Sequence, residues 1–235
     1  MTHDHETTGS ILIIGASRGL GLALTDDFAG RGWRVTATKR DAARSRLDEL
    51  AEARSDVVEV EHLDITQRDQ ITALGQRLAG RAFDMLFVNA GVANMADEPV
   101  AEISTDEFVR VVVTNALGPM RAVETLQGLV SETGLIGVMS SGQGSITDNT
   151  NGLHEVYRCS KSALNQLMRS YAARRPGEKR ALVLLAPGWI RTDLGGPWAP
   201  FSVEEAVPQL SATLIGQLGK PGLRFVNRFG DAVPW

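Results

Sequence analysis

The sequence has 235 residues, 43% of them hydrophobic, and 24 Lys plus Arg against 28 Asp plus Glu give a formal charge of -4. This length and apolar content predict one folded α/β domain, residues 10–235, after a polar, flexible tail at 1–9. The charge balance gives no indication of binding to nucleic acid or to an anionic membrane, and no apolar run reaches the ~18 residues that span a bilayer. The single cysteine, Cys159, cannot form an intrachain disulfide and suits the cytoplasm.

A short apolar run at 10–14 leads into a glycine turn, and a helix with one apolar face follows the turn. The spacing is Gly15-x-x-x-Gly19-x-Gly21, which differs from the Gly-x-Gly-x-x-Gly pattern of many dinucleotide sites. Backbone amides at a helix start have no internal partner, so strand, turn and helix together predict a pyrophosphate site. The alternative is a turn that needs glycines only to bend. The predicted site comprises Gly15, Ser17, Arg18, Gly19, Leu20 and Gly21.

Lys39 and Arg40 stand at the end of the second predicted strand, 33–38. In dinucleotide-binding sheets this strand end faces the adenosine ribose, where cations suit a 2′-phosphate and a carboxylate suits a 2′-hydroxyl. These two residues, with Arg18 as a third cation, therefore favour NADP(H) over NAD(H). The alternative is a solvated basic pair in a loop.

Hydrophobic periodicity predicts five more strands and five further helices, and so a Rossmann fold, a doubly wound parallel sheet of about seven strands flanked by helices. The strands are predicted at 57–61, 83–88, 135–139, 180–186 and 223–226, and the helices at 42–53, 67–79, 104–131, 153–173 and 203–217. Ligands bind beyond the carboxyl ends of such strands. The residues predicted to contact the cofactor there are Asp64, Ile65, Asn89, Ala90, Gly91, Pro187, Gly188, Ile190 and Thr192. Asp64 either holds the adenine amino group or caps the next helix.

Tyr157 and Lys161 are four residues apart on a predicted helix, which places both side chains on one face. A cation lowers the pKa of a neighbouring phenol, and proton transfer works best when that pKa nears the working pH. Such a pair alone usually decorates a half-exposed helix, so it gains weight only from its setting. Ser141, after the fifth strand, is placed to reach the same substrate oxygen as Tyr157, with Ser140 as the alternative.

Asn115 lies on the apolar face of the predicted helix 104–131, and Pro119 follows four residues later. Because proline has no N–H, the Asn115 carbonyl loses its helical donor and the helix should bend there. A bent helix with a free carbonyl and a polar side chain can hold a water, although bending for packing alone is equally consistent. Residues 195–202 suggest a short flap, and no metal site is expected. The predicted substrate pocket comprises Ser141, Trp189, Trp198 and Phe201.

In their order and spacing, these residues resemble the short-chain dehydrogenase/reductase family over nearly the whole chain. The resemblance is carried by 15–21, 89–91, Asn115, Ser141, Tyr157-x-x-x-Lys161 and Pro187-Gly188. A narrower similarity to the C-factor and Sniffer-type carbonyl reductase branch is carried by 144–146, Asn149, 157–165, 187–189 and Pro234-Trp235. Ser141 lies sixteen residues before Tyr157 (157 minus 141). The family more often has a spacing of thirteen, and the longer loop matches the narrower branch.

The resemblance implies an enzyme that uses NADP(H) to move hydride to or from a small-molecule carbonyl or alcohol. Tyr157 would donate the proton, Ser141 would hold the substrate oxygen, and Lys161 would bind the nicotinamide ribose beside Tyr157. Asn115 would hold a water that links Lys161 to solvent. Helices 104–131 and 153–173 pair subunits in many relatives, so either a homodimer through them or a monomer is expected. The alternative function is an NADP(H)-binding signalling or regulatory protein of the C-factor type.

Overall fold

A computed structural model describes residues 8–94 and 98–235, so most of the predicted tail at 1–9 lies outside the described residues. The described strands form one parallel sheet in the order β3-β2-β1-β4-β5-β6-β7. They are β1 Ser10–Ile14, β2 Arg34–Lys39, β3 Val58–His62, β4 Phe83–Val88, β5 Val130–Met139, β6 Ala181–Ala186 and β7 Gly222–Asn227. The order reverses between β1 and β4, where sheets of this kind bind ligands. The predicted Rossmann fold is confirmed.

Helices cover both faces of the sheet. They are α1 Gly19–Gly30, α2 Arg46–Ala53, α3 Arg68–Arg77, α4 Thr105–Val112, α5 Gly118–Leu126, α6 Glu155–Ala173 and α7 Val203–Gln217. Side chains alternate along each strand, so Ile11 and Ile13 cluster with residues of α1, α2 and α7, while Leu12 and Ile14 cluster with residues of α3, α5 and α6. Among the described residues, no helix is long and apolar enough to cross a membrane.

The predicted helix 104–131 is divided where Pro119 was expected to bend it. A π-helical turn at Val113–Leu117 separates α4 from α5. β5 begins at Val130 rather than at 135. The predicted strand started too late because residues 131–133 are polar and interrupt the apolar pattern. α2 begins at Arg46 rather than at 42, because Oδ2 of Asp48 accepts from the amide of Ser45 at 2.6 Å and caps the helix there.

Gly21 and Gly216 are both helical glycines, but their surroundings differ. A Cβ on Gly21 would overlap the Gly15 carbonyl oxygen and lie 2.6 Å from Nδ2 of Asn89, whereas a Cβ on Gly216 would meet nothing within 4 Å. We predict that Gly21→Ala lowers the free energy of unfolding by at least ~2 kcal/mol through overpacking. Gly216→Ala should raise it by up to ~1 kcal/mol, since alanine is the better helix former. Urea denaturation measures both, and similar effects of the two changes would contradict this account of the glycine turn.

Candidate active site

The glycine turn between β1 and α1 is fixed by hydrogen bonds to the two neighbouring strand ends. The amide of Gly15 donates to Oγ1 of Thr38 at 3.0 Å, and the amide of Ala16 donates to the Thr38 carbonyl at 2.7 Å. Nδ2 of Asn89 donates to the Gly15 carbonyl at 2.7 Å. Gly15 and Gly19 have φ of +88° and +56°, a conformation that favours glycine. These contacts hold the turn directly before the first turn of α1.

The start of α1 has no cap from its own side chains. Arg18, at the N-cap position, makes no side-chain cap hydrogen bond, and the first turn contains no acidic residue. By contrast, Ser104 caps α4 and Ser202 caps α7, each with acidic residues in the first turn. Free amides and the positive end of the helix dipole attract an anion, and glycines let it approach the backbone. These residues therefore fit the pyrophosphate of a dinucleotide.

The two bases at the end of β2 have different environments. The ammonium of Lys39 is buried and donates to Oδ2 of Asp48 at 2.7 Å and to the Ala43 carbonyl at 3.0 Å. The hydrogen bond from Lys39 lowers the pKa of Asp48 to about 2. Arg40 is exposed and pairs with Asp41 at 3.2 Å. The Lys39 ammonium thus points toward α2, where it pairs with Asp48, rather than toward a 2′-phosphate as predicted. Arg40 is the accessible cation of the two.

Asp64 and Ile65 follow β3 as predicted, but their contacts are local. Oδ1 of Asp64 accepts from the amide and hydroxyl of Thr66 at 2.9 and 2.7 Å, and the Asp64 amide donates to Oε1 of Gln70 at 2.7 Å. Ile65 is buried. These bonds form a turn before α3. The N-cap of α3 is Gln67, which has no side-chain cap hydrogen bond, so Asp64 does not cap the helix and its contact with adenine stays a prediction.

Asn89, Ala90 and Gly91 bring the end of β4 beside the predicted catalytic residues. The amides of Asn89 and Ala90 continue the pairing with β1 past the end of the strand. A Cβ on Gly91 would lie 3.4 Å from Oδ1 of Asn115 and 3.5 Å from Nζ of Lys161. The glycine turn and the predicted catalytic residues therefore share one edge of the sheet, and Gly91 leaves room between them.

Ser141, Tyr157 and Lys161 meet at this edge. The Ser141 side chain lies beside the Tyr157 hydroxyl, close enough to favour its ionised form. Lys161 is 3% exposed, and its ammonium donates to the Met139 carbonyl at 2.9 Å and lies 5.8 Å from the centroid of the Tyr157 ring. Ser140, the alternative to Ser141, points to a different group and does not share this contact. The arrangement offers a proton donor, a second hydroxyl and a positive charge in one place.

Burial shifts the two titratable groups of this site in opposite directions. It raises the pKa of Tyr157 to about 12, and the neighbouring Ser141 side chain offsets only part of that rise. It lowers the pKa of Lys161 to about 8. The net shift of the Tyr157 pKa is therefore upward, because the loss of water around the phenol outweighs the effect of its neighbours.

Asn115 lies in the π-helical turn and is fully buried. Its Nδ2 donates to the Val92 carbonyl at 2.8 Å and to Oγ of Ser160 at 2.9 Å, and its Oδ1 accepts from the Val92 amide at 2.8 Å. Oγ of Ser160 donates in turn to the Tyr157 carbonyl at 2.7 Å. The side chain thus connects the loop after β4 to the helix of Tyr157. This leaves the main-chain carbonyl, which Pro119 cannot bond, as the group for the predicted water.

The segment after β6 lies against the glycine turn. The Thr192 methyl lies 3.8 Å from the position of a Cβ on Gly19, and Nη1 of Arg18 pairs with Asp193 at 3.0 Å. Arg18 therefore has a carboxylate partner on the segment after β6. The segment holds the predicted cofactor residues Pro187, Gly188, Ile190 and Thr192.

The aromatic residues predicted to line a substrate pocket do not form one cluster. Nε1 of Trp189 donates to the Gly195 carbonyl at 2.6 Å, and the residue is 56% exposed. Trp198 is 86% exposed and faces solvent. The ring of Phe201 packs under the guanidinium of Arg228 at 3.9 Å and against the core. Trp198 and Phe201 thus depart from the predicted lining, because Trp198 faces solvent and the Phe201 ring packs against Arg228 and the core.

Two buried polar residues of α6 were missed in the sequence. Ser160 accepts from Asn115, and Asn165 accepts from the hydroxyl of Ser140 at 2.6 Å. A signal for Asn165 was present, since it continues the four-residue spacing of Tyr157 and Lys161.

Comparison with known proteins identifies the family. The family model described as short chain dehydrogenase matches residues 10–201. A short-chain dehydrogenase/reductase from Burkholderia multivorans with bound NADP is 53% identical, has a TM-score of 0.95, and is matched over 97% of this chain and 100% of that one. A carbonyl reductase from Pseudomonas aeruginosa PAO1 in complex with NADP is 37% identical, with a TM-score of 0.90 and coverage of 97% and 100%.

Two further relatives represent the narrower branch. Carbonyl reductase Sniffer of D. melanogaster is 28% identical, with a TM-score of 0.87 and coverage of 97% of this chain and 100% of that one. C-signal of Myxococcus xanthus is 32% identical over 154 residues, which are 65% of this chain and 92% of that protein. The chain therefore belongs to the short-chain dehydrogenase family, within the C-factor and Sniffer-type carbonyl reductase branch that the sequence indicated.

Proposed function

We propose that the protein is an NADP(H)-dependent oxidoreductase that transfers hydride between nicotinamide and a small-molecule carbonyl or alcohol, as a carbonyl reductase does. The observation that carries the proposal is the meeting of Ser141, Tyr157 and Lys161 at the sheet edge that also bears the glycine turn. Relatives from Burkholderia and Pseudomonas with bound NADP support the choice of cofactor.

NADP(H) supplies the hydride when it is bound, and the protein positions it. We assign the pyrophosphate to the glycine turn and the 2′-phosphate to Arg40 and Arg18, with Lys39 bracing the strand end behind Arg40. Asp64 and Ile65 are assigned to the adenine end. Residues 89–91 and 187–192 are assigned to the nicotinamide half, together with Tyr157 and Lys161.

Tyr157 is assigned the proton transfer. Its pKa of about 12 keeps the hydroxyl protonated at neutral pH. During reduction the Tyr157 O–H bond breaks as the proton passes to the developing alkoxide, whose charge the Ser141 hydroxyl stabilises by a hydrogen bond. Lys161, with a pKa of about 8, is mostly charged at neutral pH, and its ammonium stabilises the phenolate that remains. A water on the Asn115 carbonyl is assigned the return of the proton from solvent.

The substrate, the assembly and the location stay predictions. Trp189 is the aromatic residue assigned to the substrate side, so an apolar or aromatic carbonyl compound is expected. A homodimer would form through α4, α5 and α6, and a monomer is the other expected form. The single Cys159 supports a cytoplasmic location.

A signalling or regulatory role is the second candidate, favoured by the similarity to C-signal. The intact group of Ser141, Tyr157 and Lys161 supports chemistry instead, because nucleotide binding alone does not need a proton donor. NADPH absorbance followed with a panel of aldehydes, ketones and quinones separates the two. Tight NADPH binding with no oxidation by any member of the panel would favour the regulatory role.

Tyr157→Phe removes only the hydroxyl that donates the proton. We predict a fall in kcat of at least ~100-fold, since general acid catalysis contributes about that much or more, with the Kd of NADPH nearly unchanged. Tyr171→Phe serves as the control, because the Tyr171 hydroxyl donates to Gln127, away from the site. Turnover of Tyr157→Phe at the wild-type rate would refute the proposed function.

Arg40→Ala tests the contact with the 2′-phosphate. A charge-assisted hydrogen bond contributes roughly 1.5–3 kcal/mol, so the KM for NADPH should rise by at least ~10-fold while the KM for NADH changes little. Arg34→Ala is the matched control, because Arg34 is exposed at the opposite end of the same strand. Equal effects of Arg40→Ala on both cofactors would show that another cation reads the phosphate.

Lys161→Met tests the energetic cost of the buried ammonium. A pKa lowered from 10.5 to about 8 corresponds to roughly 3 kcal/mol of lost stability in the charged form. We predict that Lys161→Met abolishes turnover yet raises the melting temperature of the cofactor-free protein at pH 7 by several degrees, at ~2–4 °C per kcal/mol. Lys220→Met, at an exposed lysine, should leave the melting temperature nearly unchanged.

The pH dependence gives a second measure of the same group. Between pH 8 and 10.5 the unfolded chain keeps the lysine proton that the folded protein has released, so wild-type stability rises with pH in that window. Tyr157 acts in the opposite direction only above its ordinary value of 10.0, because its folded pKa is raised. Melts between about pH 8 and 10 should therefore show a rise for the wild type that Lys161→Met lacks. An identical pH slope in both proteins would contradict the assignment.

A further inference from the structure

Asn165 lies one helical turn beyond Lys161, on the face of α6 that bears Tyr157 and Lys161. The residue is 3% exposed. Its Oδ1 accepts from the Ser140 hydroxyl at 2.6 Å, and its Nδ2 donates to the Gly144 carbonyl at 3.2 Å. Because a carbonyl can only accept, the contact with Gly144 determines which end of the amide carries the nitrogen. Both polar ends of this buried side chain are therefore engaged.

The two partners of Asn165 lie on either side of Ser141 in the chain. Ser140 precedes it, and Gly144 ends the short helical turn that follows it. Within this segment the Gly144 amide donates to the Ser141 carbonyl at 2.8 Å, and the Gln143 amide donates to Oγ of Ser141 at 3.1 Å. Asn165 thus holds both ends of the segment that presents the Ser141 hydroxyl to Tyr157.

Gly144 packs closely against α6. A Cβ on Gly144 would lie 2.9 Å from Nδ2 of Asn165 and 3.1 Å from Cβ of Lys161. Oγ of Ser162 also donates to the Gly144 carbonyl, at 3.0 Å. The loop therefore rests directly on the turn of α6 between Lys161 and Asn165.

We propose that Asn165 is a positioning residue for Ser141, in that its amide ties segment 140–144 to α6 and so sets the place of the Ser141 hydroxyl relative to that of Tyr157. The proposal rests on the proposed function, since it assigns a support to the same site. A displacement of about 1 Å in a positioned group costs up to ~100-fold in rate.

The test is a double-mutant cycle, with NADPH and a carbonyl compound that the wild type reduces. Asn165→Leu should lower kcat by ~10-fold or more, and the Kd of NADPH should stay within ~2-fold. In a Ser141→Ala background the same change should lower kcat hardly further, because the hydroxyl that it positions is gone. Ser140→Ala removes one of the two hydrogen bonds with a smaller change in shape and should show the same dependence on Ser141. It replaces Asn165→Leu if that variant does not fold.

Gln166→Leu is the control, since Gln166 is the next residue and is exposed. Its kcat should equal that of the wild type. An equal fall in kcat from Asn165→Leu with and without the Ser141 hydroxyl would overturn the positioning role, as would wild-type kcat in both Asn165→Leu and Ser140→Ala. Retained turnover in Tyr157→Phe refutes the proposed function and this role together, whereas additive effects beside an inactive Tyr157→Phe refute the positioning role alone.

Discussion

The site depends on one charged group held almost out of contact with water. The Lys161 ammonium donates to the carbonyl of Met139, the last residue of β5, and this bond joins the sheet to α6 at the point where Tyr157 stands. A carbonyl dipole replaces part of the lost hydration, and a pKa of about 8 reflects the part that is not replaced. Gly91 comes close to the same nitrogen, so the edge of β4 is shaped around the charge as well.

The parallel sheet explains how this domain accommodates the buried Lys161 ammonium. The central strands β1, β4 and β6 are apolar toward both helical layers over most of their length, and the polar groups of the site collect beyond the carboxyl ends of the strands. There the backbone carbonyls and amides leave the ladder and become available, as the Met139 carbonyl and the glycine-turn amides are. The uncapped start of α1 and the Lys161 ammonium are thus two positive groups at the carboxyl edge of the sheet, where sheets of this kind bind ligands.

The sequence predicted the parts of the molecule that local geometry determines. The strands follow from apolar runs bounded by turns, and Tyr157 and Lys161 follow from helical spacing, which fixes their relation within one element. The direction of the Lys39 side chain was not predicted, because its partner Asp48 lies in a helix whose start depends on a cap at Ser45. The position of the Phe201 ring was not predicted, because the ring packs against Arg228, which is distant in the chain. The direction of the pKa shift of Tyr157 depends on burial, which spacing does not reveal.

The two pKa shifts also determine which protonation states Tyr157 and Lys161 hold at neutral pH. With a pKa of about 12, Tyr157 releases its proton only to a stronger base than phenolate, and the alkoxide formed from a carbonyl group is such a base. Reduction therefore finds its proton donor ready across the neutral range. Proton donation leaves a phenolate beside Lys161, and burial disfavours both of these charged forms when each stands alone. The phenolate therefore depends on the charge of the neighbouring ammonium, in reduction as in the reverse reaction, and this ties the function of Tyr157 to the protonation state of Lys161.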